Sequence, residues 1–362
     1  RCVSVAELAR TLRWLPARPA TEEMDPMEQG HDIMFKSVFE DPVCARDHFE
    51  QVLSAEARKL LDLTTLELVP GSFVDQAFKP RHTDLLFRAT ARGRSGRSKR
   101  SGRSRRSGPS TREAYVYLLF EHQSTEQPLM VFRLYCYMAN IWRRHTETGE
   151  KGQSKLPLPP IVALVLYNGA TRWRAARTFH QLVEPLGALA PRVPQFEMVL
   201  TDLGACSDEL LALETSAGRT RLLLKRGPRL RGPGALARLG PIFRAVMTDG
   251  ALSPDARLRQ LELYAEYMRH AAKHVEWARV VDLFARYAGE DGREMAMSVG
   301  DKLLAQGRSE GRASMLLKLL TLRFGVPSDA TIRRVNGASE SELELWAERI
   351  LTAASVEDVL DG

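Results

Sequence analysis

Two carboxylates and an amide carry the clearest chemistry in this chain. Glu121 and Gln123 end the apolar, aromatic-rich run Tyr115-Val116-Tyr117-Leu118-Leu119-Phe120, and Asp84 opens a second apolar run, Leu85-Leu86-Phe87. Side chains alternate along a strand, so Glu121 and Gln123 share a face with Tyr115, Tyr117 and Leu119. Polar groups at the end of a buried strand cost free energy unless something pairs with them. If the two runs pair as antiparallel strands, Asp84 and Glu121 fall at the same end, roughly 23 Å from the connecting loop at ~3.3 Å per residue. Two carboxylates beside a carbonyl or amide then form a hard-oxygen site suited to Mg²⁺, with positions left for water and phosphate. The same pattern also fits a strand-end glutamate bonded to a nearby arginine, with Asp84 as a turn residue.

The surrounding segments must position that hairpin. Apolar residues at 34, 35, 38 and 39 have helical spacing, with Asp32 as an N-cap; Asp41-Pro42 breaks this helix, and Val43 to Leu61 forms a second, with a break at Leu53-Ser54. Leu66 to Val69 and Phe73 to Phe78 read as short extended segments, and Pro128 to Trp142 as an amphipathic helix. Pro157 to Tyr167 is an aliphatic run closed by Asn168-Gly169, the pattern of a buried central strand, and Glu197 to Leu203 is a weaker strand. The order predicts a mixed α/β core. From about Ser207 the chain reads as helical, with Gly- and Arg-rich joints expected at 226–234 and 306–312 and a compact helical tail over 312–361.

The Asp-(x)n-Glu-x-Gln arrangement resembles the PD-(D/E)xK nuclease superfamily, with Gln123 where that superfamily usually has lysine. More specifically, residues 30–205 are similar to the recombination-promoting nucleases, a family also described as transposases. The matching stretches are His31 to Phe39, Leu66 to Asp75, Asp84 to Phe87, Tyr117 to Ser124 with its Glu-His-Gln-Ser tetrad, Arg133 to Met138, and Leu166 to Gly169. The C-terminal tail resembles a small helical domain of unknown function found at the end of such proteins. The resemblance implies a restriction-endonuclease-like mixed sheet flanked by helices and a Mg²⁺-dependent DNA endonuclease linked to recombination or mobile elements, with Mn²⁺ or Ca²⁺ as substitutes for Mg²⁺. It implies Asp84, Glu121 and the backbone carbonyl of His122 as metal ligands, and Gln123 as the group that orients the attacking water. An amide can do this, but it cannot carry the positive charge of a lysine.

Other residues are weighed on their own chemistry. Asp32 is an accessory acid by analogy with the superfamily or simply a cap, and Lys36 either meets a phosphate or is solvated. His122 points to the face opposite Glu121 and Gln123, as a packed, hydrogen-bonded histidine. Arg133 is a candidate contact to the DNA backbone, while Tyr135 and Tyr137 fit a core stripe equally well. His270 and His274 lack the intervening Glu of a zinc-protease helix, and neither a phosphate-binding G-x-x-x-x-G-K-[ST] loop nor a G-x-S-x-G elbow occurs.

Net charge is +7, but Arg92 to Arg106 alone holds eight Lys/Arg and no acid, so the remainder is nearly neutral. This tract, including Arg97, Arg100 and Arg103, sits at the expected hairpin tip within an insertion over 92–110. It either tethers DNA phosphates or is a tolerated solvated loop. Scattered cysteines at 2, 44, 136 and 206 fit a reducing cytosol, and no apolar run reaches the ~20 residues of a membrane span. The expected division is a variable extension over 1–29, a nuclease core over 30–205, a helical region over 206–306 and the tail over 312–362. The expected setting is cytoplasmic, with DNA as partner, no membrane, and a homodimer if both strands are cut. Two alternatives stay open: a catalytically inactive DNA-binding protein on a nuclease scaffold, and a transposase.

Overall fold

The computed structural model describes residues 26–69, 85–92, 115–147, 156–183, 187–211, 213–231, 234–271 and 275–361. They fall into two compact units: residues up to 246 together with 267–274, and residues 247–266 together with 275 onward.

Among the described residues the first unit starts with three helices, α1 (Pro26–Phe39), α2 (Pro42–Val52) and α3 (Ala55–Leu60). α1 begins six residues before Asp32, so Asp32 is not its N-cap. Pro26 takes the first position, where its fixed φ suits a helix and its missing N–H is not needed. α2 is capped by Asp41, which accepts from Val43 N at 2.8 Å. Ser54 caps α3 by accepting from Ala57 N at 3.2 Å, which places a helix break at 53–54.

Five strands follow in chain order and in sheet order: β1 (Leu61–Leu68), β2 (Leu85–Ala91), β3 (Tyr115–Gln123), β4 (Ile161–Tyr167) and β5 (Val199–Asp202). β1, β2 and β3 are antiparallel neighbours, while β3/β4 and β4/β5 are parallel. The parallel β3–β4 pair needs a crossover, and helix α4 (Met130–Glu147) supplies it. The expected hairpin is therefore real, with Leu85 opposite Phe120 and Thr90 opposite Tyr115. Asp84, the segment Phe73–Phe78, and Arg97, Arg100 and Arg103 lie outside the described residues.

Alternation along β3 builds two cores. Leu118 and Phe120 face α1 and α2, where Phe120 meets Phe35, Phe39, His48 and Phe49 with ring centroids 4.8, 5.3, 4.7 and 5.3 Å apart. Leu119, Ala163 and Val165 face the other way, against Val131, Leu134, Met138 and Ile141 of α4. The sheet is thus covered on both faces, as a sheet containing a βαβ unit must be. Helix α5 (Ser216–Arg226) packs on α1 and α2 and buries two arginines there, Arg219 and Arg221. Arg221 reaches Asp47 at 3.4 Å and donates to His48 Nδ1 at 3.3 Å. Burial, then the charge of Arg221, pushes the His48 pKa well below its ordinary value, so the ring is a neutral acceptor.

Helix α6 (Gly240–Thr248) follows, and α7 (Pro254–Ala271) returns its last turn, from Tyr267, to the first unit. In the second unit α8 (Trp277–Phe324) bends at Gly289, whose φ of 66° is left-handed, and continues helical through 306–312. The joint expected there is therefore helix. Gly307 and Gly311 have open space where a Cβ would stand, and a helix tolerates each glycine at about 1 kcal/mol. Helices α9 (Asp329–Asn336), α10 (Glu340–Arg349) and α11 (Val356–Asp361) pack on the end of α8 around Leu316, Leu320, Val335, Leu343, Trp346 and Val359. Among the described residues no helix is long and apolar enough to cross a membrane.

Candidate functional site

Glu121, His122 and Gln123 form the last residues of β3 and are all buried, with the Glu121 side chain fully inaccessible. Phase along the strand sends Glu121 and Gln123 toward the α4 side. There Glu121 Oε2 accepts from Arg133 Nη2 at 2.5 Å and from Gln123 Nε2 at 3.2 Å. Its second oxygen, Oε1, is buried with no hydrogen-bond partner among the described residues. Leaving a buried carboxylate oxygen without a partner is costly, and native structures rarely do so without a reason. The arrangement thus contains the bonded arginine that a purely structural glutamate would have, but that arginine occupies only one of the two oxygens.

Arg133, a candidate contact to the DNA backbone, bonds Glu121 and lies one α4 turn from Tyr137, whose ring centroid is 5.9 Å from its guanidinium carbon. Removing the arginine would strand a buried charge, which costs about 3–5 kcal/mol for a fully buried pair. The Arg133 side chain is 22% exposed, so Arg133→Met is expected to destabilise the protein by a smaller amount, about 2–3 kcal/mol. Urea denaturation checks this. Adding Glu121→Gln to the same chain should recover most of the loss, because it removes the stranded charge.

On the opposite face His122 is 2% exposed and held from both sides: Nδ1 lies 2.8 Å from Asp32 Oδ1, and Nε2 lies 3.1 Å from Asn168 Oδ1. The Asn168 amide nitrogen in turn contacts His31 Nδ1 at 3.1 Å, which Tyr267 Oη also meets at 3.1 Å. Burial holds the Tyr267 hydroxyl well above its ordinary pKa, so it is a neutral donor. This network joins α1, β3, the turn after β4 and the end of α7. It places Asp32 on the His122 face of the sheet, away from the Glu121 carboxylate, and Lys36 is exposed on α1.

The backbone adds a directional clue. Successive carbonyls alternate sides along a strand. The Gln123 carbonyl takes the Asn168 N–H of the β4 side at 3.1 Å, so the His122 carbonyl is turned to the β2 side. The described part of β2 ends there at Leu85, opposite Phe120, and Asp84 immediately precedes Leu85 in the chain. Among the described residues no three His, Cys, Asp or Glu side chains converge into a metal site. The described part of the site holds one such ligand, Glu121, with an open oxygen.

Sequence reasoning brought Glu121, His122 and Gln123 to their observed faces. It missed Asn168, His31 and Tyr267, because Asn168-Gly169 signals only a turn and the other two read as unremarkable helix positions. It offered a nearby arginine as the partner of Glu121 but did not identify that arginine as Arg133. Helical phase alone does not say which residue of α4 will overhang the end of β3.

The chain is 33% identical over 140 residues to recombination-promoting nuclease RpnD of Escherichia coli O157:H7, covering 39% of this chain and 45% of that protein. It is 25% identical over 320 residues to recombination-promoting nuclease RpnA of Escherichia coli K12, covering 86% and 95% of the two chains. It is also 32% identical over 141 residues to the inactive recombination-promoting nuclease-like protein RpnE of the same strain, covering 39% of this chain and 40% of that one. The chain therefore spans less than half of RpnD and RpnE but nearly all of RpnA. No solved structure matches it. The family model described as "Putative transposase, YhgA-like" matches residues 29–97 and 108–231, more than half of the chain, and the protein belongs to that family.

Proposed function

We propose that the protein is a divalent-metal-dependent DNA endonuclease whose site is built at the end of β3. The observation that carries this reading is Glu121 Oε1, a buried carboxylate oxygen without a hydrogen-bond partner among the described residues, on a strand whose neighbour leads back to Asp84. The residues present fit a hard cation: Asp84, Glu121 and the His122 carbonyl would hold Mg²⁺. Bound there, the ion would supply charge neutralisation at the phosphodiester and make water a better nucleophile near neutral pH.

The protein's own groups have separable tasks. Arg133 and Gln123 both bond Glu121 Oε2 and so fix the carboxylate plane, leaving Oε1 as the coordinating atom. Asp32 and Asn168 clamp the His122 ring, which fixes the backbone between Glu121 and Gln123. Gln123 lacks the charge of the lysine usual at its position in the PD-(D/E)xK superfamily. Arg133 brings a positive charge to the same place, where it would stabilise the developing charge on phosphate.

The name of RpnE supports a second reading, a scaffold that has lost its chemistry. The open oxygen of Glu121 favours the active form, since a purely structural glutamate gains nothing from it. Calorimetric titration of the full-length protein with Mn²⁺ separates the two. Saturable binding that Glu121→Gln and Asp84→Asn each weaken at least tenfold supports the nuclease site. Binding that is absent, or indifferent to both substitutions, supports the inactive scaffold.

A further inference from the structure

A cavity of about 470 Å³ is lined by Lys225, Arg226, Arg229 and Arg238, with Asp208 as its one acid among the described residues. Its connection to β3 is short. The Gln123 carbonyl takes the N–H of Asn168, and the carbonyl of the next residue, Gly169, accepts from Arg229 Nη2 at 2.9 Å.

The charges in this cavity do not balance. Asp208 is shared by Lys225 and Arg226, each at 2.5 Å. Burial raises the Asp208 carboxyl, but the hydrogen bonds from those two cations outweigh it and hold the group below the usual carboxylate range. Arg229 donates only to neutral carbonyls among its described bonds, to Lys225 O at 2.6 Å and to Gly169 O. Arg238 is exposed. The nearby Asp202, at the end of β5, is turned onto the backbone N–H groups of Trp173 and Gly204 at 3.0 and 2.9 Å. Four cations around a concave wall with one carboxylate focus positive potential. Guanidinium forks match the tetrahedral oxygens of a phosphate through paired N–H donors.

We propose that this cavity is a phosphate subsite, which takes a backbone phosphate of the nucleic acid flanking the bond to be cut; the identity of the ligand rests on the nuclease reading above. Cations tied to the end of β3 through Gly169 and Asn168 would hold the strand in register without touching the reacting atoms. All the residues lie in the first unit, and only Arg238 lies beyond the family match.

The test is binding of the full-length protein to a fluorescent DNA duplex in EDTA, over a series of salt concentrations. Wild type is compared with Arg238→Glu and with Arg231→Glu, an exposed arginine that does not line the cavity. Arg238→Glu should weaken binding at least tenfold and reduce the salt slope by about one, the value of one phosphate contact. Arg231→Glu should weaken it less than about threefold. Equal effects of the two variants, or no effect of Arg238→Glu, would overturn the subsite. Inorganic phosphate or a mononucleotide that displaces the duplex at micromolar concentration would show a free-anion site and would also overturn the backbone assignment. If wild type binds DNA in this Arg238-dependent way but cuts nothing with Mg²⁺, the subsite stands and the nuclease reading falls.

Discussion

Glu121→Gln is expected to slow DNA cleavage at least about 10³-fold, a loss of ~4 kcal/mol of transition-state stabilisation, while leaving DNA affinity within about threefold of wild type. The size of the effect follows from the burial of the carboxylate. A fully inaccessible oxygen ligates strongly because no water competes for it and few protein dipoles relax around it. The amide keeps the shape of the side chain and an oxygen acceptor, so Gln123 and Arg133 retain a partner, but the negative charge that would hold a divalent cation is gone. DNA affinity should survive because Lys and Arg contacts to phosphate supply most of it. Single-turnover cleavage of a labelled duplex, with anisotropy of the same duplex in EDTA, reads both quantities. A variant that cuts within tenfold of wild type would remove Glu121 from the site.

The second large effect concerns the support under that site. Phe120 is completely buried and its ring meets four others, from Phe35, Phe39, His48 and Phe49. Phe→Ala in a core costs about 3–5 kcal/mol through lost transfer energy and the cavity left behind. Phe120→Ala is expected near the top of that range, about 4–5 kcal/mol, because helices α1 and α2 both rest on the ring and cannot collapse onto the gap together. Urea denaturation followed by circular dichroism measures it, and a loss under about 1.5 kcal/mol would show that the cluster repacks freely. Since Phe120 directly precedes Glu121, the milder Phe120→Leu should separate stability from chemistry. Some stability should be lost, while the protein that stays folded should cleave at a normal rate.

The hairpin was legible in the sequence because its alternation is clean. Tyr117, Leu119, Glu121 and Gln123 could only share a face, and the register that pairs Leu85 with Phe120 is the one the expected loop requires. His122 was correctly assigned to the opposite face by the same rule. Strand β1 was only half legible. It starts at Leu61, inside the stretch read as helix, and its pairing with β2 shifts register between Asp62 and Glu67. That irregularity breaks the period-two pattern in Leu61-Asp62-Leu63-Thr64-Thr65-Leu66, and without the period the residues resemble the end of a helix. The start of α1 was hidden for another reason. Residues 26–30 carry no apolar stripe, so its first turn had no visible period, and Asp32 looked like a cap when it is in fact an interior residue bonded to a strand.

The site itself divides along the same line. Residues that face each other through strand phase could be read from spacing, whereas those that meet through packing could not. Arg133 reaches Glu121 only because α4 crosses over the sheet at a particular height, and Asn168 meets His122 only because β3 and β4 run parallel in one register. Arg226 and Arg229 looked like part of a glycine-rich basic joint, but they line a cavity, and Arg229 also bonds the Gly169 carbonyl just after β4. Composition located the positive charge in Arg92–Arg106. The structure adds a second, smaller concentration of it, in a place where the fold gives it a concave wall.

The most direct test of the central claim is nicking of supercoiled plasmid by the full-length protein, with Mg²⁺ or with EDTA, beside Glu121→Gln. Nicked and linear products that require Mg²⁺ and disappear in the variant are the predicted result. Cutting that persists in EDTA or in Glu121→Gln, or no cutting by wild type that still binds the DNA, would contradict it.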